Sequence, residues 1–282
     1  MQSVNIFMKE RLPIVPNFIL AFGLVFSALA LANSQMDAGA LLFGVFALFT
    51  FVSELRFMDE LKDVEKDIVA NPDRPLPRGA IDRKTVGHII NITGLVLVLF
   101  VAAAFSFFSS VSGALLAVSA LWLFLMYKEF FIGDWLSSRP ILYAISHQIV
   151  IFPLCLFALA LFAPEAALNP EAFAFGGLVL SAFFSFEIGR KLDPNAHPVL
   201  KTYLVVSGAR RVALYIVILQ ALAVFCGWYL GALWWIAAPS ILIVLTLPKL
   251  FSRPEDFKKL EGLISLNLIY VIWALAIRGW VA

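Results

Sequence analysis

Long apolar runs separated by short polar breaks dominate the pattern along the chain. Nine segments reach or approach the ~20 residues needed to cross a hydrocarbon core about 30 Å thick. They lie at roughly 14–33, 39–58, 84–107, 111–128, 140–162, 171–189, 211–228, 231–247 and 260–279. The runs are continuous rather than alternating, which predicts helices and argues against a membrane β-barrel. The expected fold is all-α: a polytopic membrane protein with nine transmembrane helices in a single bundle around a central cavity, one domain spanning 1–282.

The breaks alternate in character. NSQMDAG, SSVS, APEAALNP and the break near Gly231 are short and carry no Lys or Arg, whereas 59–83, 129–139, 190–210 and 248–259 are charged. Of the 21 basic residues, only Arg278 falls on the uncharged side. The positive-inside rule therefore predicts a cytoplasmic N-terminus, and nine spans leave the C-terminus outside. MQSVNIFMKERLP has neither an apolar core nor a small-residue cleavage site, so the first run is expected to act as the insertion signal.

Composition agrees with this picture. A chain that is 62% hydrophobic and 14% charged has too little charge to cover a soluble surface. A net charge of +2 gives no reason to expect a nucleic-acid partner. Cys155 and Cys226 lie inside apolar runs and read as small hydrophobes rather than as ligands or a disulfide.

The charged connections also hold nearly all the acids, with Asp37, Glu165 and Glu171 on the opposite side. Orientation needs only Lys and Arg, so the carboxylates require another explanation. They concentrate in RFMDELKDVEKDIVANPDRPLPRG, from Arg56 to Gly79. Asp59, Asp63 and Asp67 recur every fourth residue, which on a helix sets them on one face, and Glu60 joins the group. Like charges at that spacing repel, and charge at the end of a span is costly unless neutralised. Oxygen-only donors favour a hard cation, Mg²⁺ or Ca²⁺. The competing reading is a solvated helix neutralised by Lys62 and Lys66. NPDRPLPRG holds Arg74 and Arg78 behind the acids, and carboxylates for Mg²⁺ beside forked guanidiniums suit a diphosphate ester. Asp82, in AIDRKT, is expected to cap the third span.

These residues resemble the first aspartate-rich motif of the UbiA superfamily of intramembrane prenyltransferases. That motif is Asn-Asp-x-x-Asp-x-x-x-Asp, followed by Arg-Pro-hydrophobic-Pro. Asp59 stands at the Asn position, and Glu60, Asp63 and Asp67 at the three Asp positions. The resemblance implies nine helices, an inside N-terminus, an isoprenyl diphosphate donor and Mg²⁺ held by these four residues. The family's second Asp-x-x-x-Asp is replaced in FEIGRKLDPNAHPVLKTYLVVSGARR, where LKTYLVVSGARR fits the family's tail but the aspartate pair is absent. Glu187 and Asp193 stand in its place, Glu187 as a further metal ligand. Arg190, Lys191 and Lys201 are expected to bind phosphate oxygens directly, the competing reading being topology anchors. Arg56, Arg74, Lys128 and Arg139 complete the expected diphosphate ligands. In the fifth span Tyr143, Ser146, His147 and Gln148 form a polar patch. His147 is read as steering an acceptor or taking a proton, against an interhelical hydrogen bond. Asn17 in the first span is a weaker candidate of the same kind.

The expected function is Mg²⁺-dependent transfer of a prenyl group to an aromatic or other small acceptor at a cytoplasmic-facing site. Ionisation would leave an allylic cation among Phe and Trp faces, with the apolar tail lying between helices toward the lipid. A terpene cyclase, in which the cation is captured by its own chain, is the alternative. A transporter is disfavoured because the charges collect at one face rather than at the midplane. No obligate protein partner is implied.

Overall fold

The computed structural model describes residues 2–249 and 253–281. Thirteen helices, and no strand, are present among the described residues. In chain order they are α1 (Gln2–Arg11), α2 (Ile14–Ala32), α3 (Ala38–Lys62), α4 (Val64–Ala70), α5 (Arg83–Phe107), α6 (Ser110–Tyr127) and α7 (Gly133–Ser137). They continue with α8 (Pro140–Gln148), α9 (Ile151–Ala160), α10 (Pro170–Gly189), α11 (Tyr203–Tyr229), α12 (Leu233–Thr246) and α13 (Phe257–Val281). Caps mark several starts. Asp37 accepts the Gly39 and Ala40 amides, Asp82 accepts Thr85 N–H at 2.9 Å as expected, and Ser109 with Ser112 closes a capping box.

Among the described residues eight stretches are long and apolar enough to cross a membrane, with α8 and α9 counted as one. The expected ninth, at 231–247, is the 14-residue α12, about 21 Å long and shorter than a hydrocarbon core. The apolar run there includes the turn at Gly231 (φ 67°), and those residues add length to the run but not to the helix. The fifth run is split because Pro153 has no N–H to offer Ile149 four residues back, and α8 gives way to α9 at that point. The seventh begins earlier than expected, at Tyr203. Its first turns are set off by Gly208, whose φ of 74° and ψ of 159° suit a residue without a Cβ.

The spans form a ring that follows the chain, α2–α3–α5–α6–α9–α10–α11–α12–α13, and closes with α13 against α2. Lipid supplies no hydrophobic drive for helix association, so close packing and interhelical hydrogen bonds carry it. At the α2–α13 seam Gly23 lies beneath Trp273. The fully buried Ser27 donates to Ile272 O at 2.5 Å and accepts from Ala276 N at 3.2 Å. Apolar side chains such as Ile92, Leu95 and Leu99 face outward from the bundle, as a lipid-facing surface requires.

Because successive spans alternate in direction, the ends of α3, α6 and α10 meet the starts of α5, α8 and α11 at one charged end of the bundle. The short α1 docks there as well. Phe7 and Leu12 are fully buried, with the Phe7 ring stacked on Phe57 at 4.8 Å. At the opposite end Arg278 donates to Leu230 O and ties α13 to the α11–α12 turn.

Candidate active site

Helix α3 carries the acids out of the apolar layer and stops at Lys62. A bend at Asp63 (φ −89°, ψ 2°) separates it from α4, so the carboxylates do not share one continuous helix face. Each acid has its own basic partner. Glu60, almost wholly buried, accepts from Arg11 Nε at 2.8 Å. Asp67, equally buried, accepts from Arg74 at 2.5 Å and from Asn71 Nδ2 at 2.8 Å. Asp59 pairs with Lys62 and Asp63 with Lys66, each at 3.4 Å. Mutual repulsion is therefore offset within the protein. Among the described residues no three His, Cys, Asp or Glu side chains converge on a metal position.

The donor chemistry nonetheless suits a hard cation. All the motif's donors are oxygens, and although Glu60 Oε2 meets Arg11, its Oε1 is buried without a hydrogen-bond partner, which leaves one carboxylate oxygen able to accept a cation. Asp59 and Asp63 are more than a third exposed, and their lysine pairs are of the weak kind that reorganises readily.

Across the bundle, Glu187 near the end of α10 accepts from Arg190 Nε and Lys191 Nζ, both at 2.5 Å. Burial works against the Arg190 charge, but Glu187 and Asp59 outweigh it and hold the guanidinium above its ordinary pKa. Asp59 and Glu187, from different helices, thus act on the same arginine. Arg56 lies in electrostatic range of both acids and of Arg190. The Lys191 ammonium sits over the Tyr203 ring, 5.4 Å from its centre.

A third wall comes from α8 and the turn before it. Lys62 Nζ donates to Tyr143 OH at 3.2 Å, and that hydroxyl donates to Glu129 Oε1 at 3.3 Å. The His147 ring stacks on Tyr143 at 4.0 Å. Phe130 stands edge-on to both His147 and Trp122, and Trp122 Nε1 donates to Ser146 O at 2.8 Å. Glu129, Phe130 and Phe131 all adopt left-handed backbone, with φ of 49°, 54° and 59°. For residues with a Cβ this costs roughly 1–2 kcal/mol each, and strain of this kind concentrates around functional sites.

Of the residues singled out from the sequence, Arg56, Asp59, Tyr143, His147, Glu187, Arg190 and Lys191 come together at this end. Arg74 is held by Asp67 and, with Glu10 and Arg11, lines a cavity of about 310 Å³ beside α4. Asp193 stands apart, accepting Asn195 N–H at 2.8 Å in an exposed turn beyond α10. Arg139 folds back on Trp135, its guanidinium 4.3 Å from the ring centre, and Lys128 lies over Tyr127 and Phe124. Lys201 is exposed in left-handed backbone, and Asn17 Nδ2 donates to Pro13 O within its own helix turn.

Three residues were not anticipated as site residues. Lys62 was read only as a neutraliser, yet it links Asp59 to Tyr143. Arg11 reaches Glu60 from 49 residues away, a pairing no local pattern signals. Glu54, buried in α3 and hydrogen-bonded by Thr93 of α5, is an acid inside an apolar run, which is a legible signal.

Comparison with known proteins bears on this arrangement. The sequence model of the UbiA prenyltransferase family matches residues 19–256. No curated protein sequence matches significantly. Among solved structures, one described for digeranylgeranylglyceryl phosphate synthase in membranes superposes with a TM-score of 0.69 at 17% identity, over 100% of both chains. A UbiA homologue from Aeropyrum pernix K1 gives 0.67 at 12%, over 96% of this chain and 98% of that one. A UbiA homologue from Archaeoglobus fulgidus bound to DMAPP and Mg²⁺ gives 0.54 at 14%, over 98% and 100%. At these identities the structures testify to the fold alone, while the family match covers most of the sequence. This multi-pass membrane protein belongs to the UbiA prenyltransferase family.

Proposed function

We propose that the protein transfers a prenyl group from an isoprenyl diphosphate to a small hydroxyl-bearing or aromatic acceptor, with Mg²⁺, at the charged, cytoplasmic end of the bundle. The observation that carries this reading is the meeting of Arg56, Lys62, Arg190 and Lys191 around Asp59 and Glu187. These cations are held by carboxylates, Asp59 and Asp63 at Lys62 and Glu187 at Arg190 and Lys191, that an anionic ligand arriving with its metal can replace. The relative bound to DMAPP and Mg²⁺ supports the same ligand class.

Asp59, Glu60, Asp63 and Asp67 would hold the metal, with Glu187 opposite; when bound, the ion supplies positive charge to the diphosphate. The chain's own residues do the rest. Arg190 and Lys191 exchange Glu187 for phosphate oxygens and, with Arg56, stabilise the negative charge that grows as the C1–O bond breaks. Tyr143, Phe130 and Trp122 present ring faces to the allylic cation and keep water from it. Lys128, Arg139 and Lys201, exposed around the entrance, draw the anionic donor inward.

The test is product analysis by mass spectrometry. The purified protein in vesicles receives C10, C15 or C20 allylic diphosphates, with and without a phenolic acceptor, in Mg²⁺ or EDTA. Mg²⁺-dependent diphosphate release and a prenylated acceptor are expected. Full activity in EDTA, or no release from any donor, overturns the reading. A cyclic hydrocarbon formed without acceptor replaces transfer by cyclisation.

A further inference from the structure

His147 is the feature of this site that phosphate binding does not explain. Its Nδ1 lies 2.8 Å from the Tyr143 carbonyl oxygen and 3.2 Å from Ser146 Oγ, whose own hydrogen goes to that carbonyl at 2.8 Å. A carbonyl only accepts, so Nδ1 carries the hydrogen and the neutral ring presents a lone pair at Nε2. That Nε2 is buried and has no hydrogen-bond partner. The ring is fixed by its stack on Tyr143, whose hydroxyl is held in turn by Lys62 and Glu129. Phe130 stands edge-on at 5.8 Å, placed by the left-handed turn at 129–131. The charged groups facing the ring are Lys62 from α3 and Lys191 and Glu187 from the end of α10. The other two histidines are arranged differently: His88 is exposed on α5, and His197 Nδ1 accepts Val199 N–H in a loop.

We infer that His147 Nε2 is the catalytic base of the transfer step, taking the hydroxyl proton of the acceptor. This rests on the prenyl-transfer reading above. The donor C1–O bond breaks and its electron pair leaves with the diphosphate. The acceptor O–H bond breaks, its proton passes to Nε2, and its electron pair stays on the acceptor. The oxygen then forms the new bond to C1; where the ring carbon it activates does so instead, that carbon's proton moves to the oxygen as the ring regains aromaticity. The imidazolium returns its proton to water as diphosphate departs. An aromatic rim around an acceptor nitrogen keeps bulk water from competing for the same cation. The substrate class that follows is an acceptor with a weakly acidic hydroxyl.

The test uses His147→Asn, which retains a donor for the Tyr143 carbonyl but has no atom at the Nε2 position. Single-turnover reactions with an allylic diphosphate and a phenolic acceptor read diphosphate release and the partition between prenylated acceptor and prenyl alcohol. The variant is expected to release diphosphate within about threefold of the unaltered protein. Acceptor prenylation should fall by about 100-fold or more, as for loss of a general base, with prenyl alcohol making up the difference. Unchanged partition overturns the assignment, and so does equal loss of ionisation and transfer, which marks a structural role. Failure of the unaltered protein to release diphosphate is a different result, and it removes the prenyl-transfer reading together with this one. Nitrogen NMR of the ¹⁵N-histidine-labelled protein reads the tautomer independently of activity. An unprotonated Nε2 at neutral pH is required, and a protonated one overturns the inference even if the Asn variant does not fold.

Discussion

Replacing Arg11 by Ala should do more damage than removing the charge of its partner. The Glu60 side chain is 2% exposed and Arg11 is 29% exposed, 2.8 Å apart. Removing one member of a buried pair costs about 3–5 kcal/mol, because the remaining charge stays buried and unpaired. Water already reaches Arg11, so the lower end applies, about 3 kcal/mol. Glu60→Gln leaves a guanidinium that water can solvate and an amide oxygen that can still accept, for a loss of about 1 kcal/mol. The double variant should then be more stable than Arg11→Ala alone. Thermal unfolding in detergent measures this. At about 2 °C per kcal/mol for a long chain, Arg11→Ala should unfold about 6 °C lower without Mg²⁺. It should also gain more from added Mg²⁺ than the unaltered protein, since both Glu60 oxygens are then unpaired. If Glu60→Gln falls as far as Arg11→Ala, or the two losses simply add, Arg11 is not the internal counter-ion of Glu60.

Three further outcomes are expected. Arg190→Gln with Lys191→Gln should slow diphosphate release by about 100-fold or more, as for lost donors to a developing oxyanion, while labelling of loop cysteines reports an unchanged topology; normal release rates would reduce the pair to anchors. The hydrogen bond from Arg78 holds the Glu10 carboxyl below its ordinary value of 4.5. This tie between α1 and the 72–79 loop is therefore complete above that value and lost as pH falls through the lowered one. Protection of the α1 amides, corrected for the intrinsic pH dependence of exchange, should fall only on the acid side, and Glu10→Gln should abolish the dependence. Gly23→Ala drives a methyl into Trp273 and Ile272 at the α2–α13 seam and should cost about 1–3 kcal/mol. Gly87→Ala, where nothing lies within 4 Å, should be neutral or stabilising in the same unfolding assay.

The spans were legible because lipid demands continuous apolar helices, and the Asp82 cap because its signal is local. The family resemblance in specific motif is equally local, carried by about two dozen residues that include Asp59–Pro77. What did not show was set by distance or by backbone. The 14 residues of α12 are shorter than their apolar run because hydropathy counts turn residues together with helix. The left-handed turn at 129–131 contains no glycine to announce it, and the surrounding fold imposes it. Spacing sets Asp59, Asp63 and Asp67 on one helix face, but the bend at Asp63 leaves Asp59 on α3 and Asp67 on α4, and no spacing assigns Glu60 to Arg11 or Asp67 to Arg74. Glu187 drew attention as an acid within a span. Glu54 carries the same signal, a buried acid inside an apolar run that pairs with Thr93 away from the motif.

Docking of α1 sets an order on how the molecule is made. Its three attachments, Phe7 to Phe57, Arg11 to Glu60 and Glu10 to Arg78, join residues some 50 to 70 positions apart. When the first span enters the translocon none of these partners has been synthesised, and the amphipathic segment must wait at the membrane surface. It can settle only after α3 has crossed back and the loop beyond it has emerged. Until then Glu60 lacks its counter-ion and the end of α3 remains open to the aqueous side. Closure of this end therefore depends on the second span: a chain in which it enters with the wrong orientation leaves α1 without a seat and Phe7 without the Phe57 ring it stacks on.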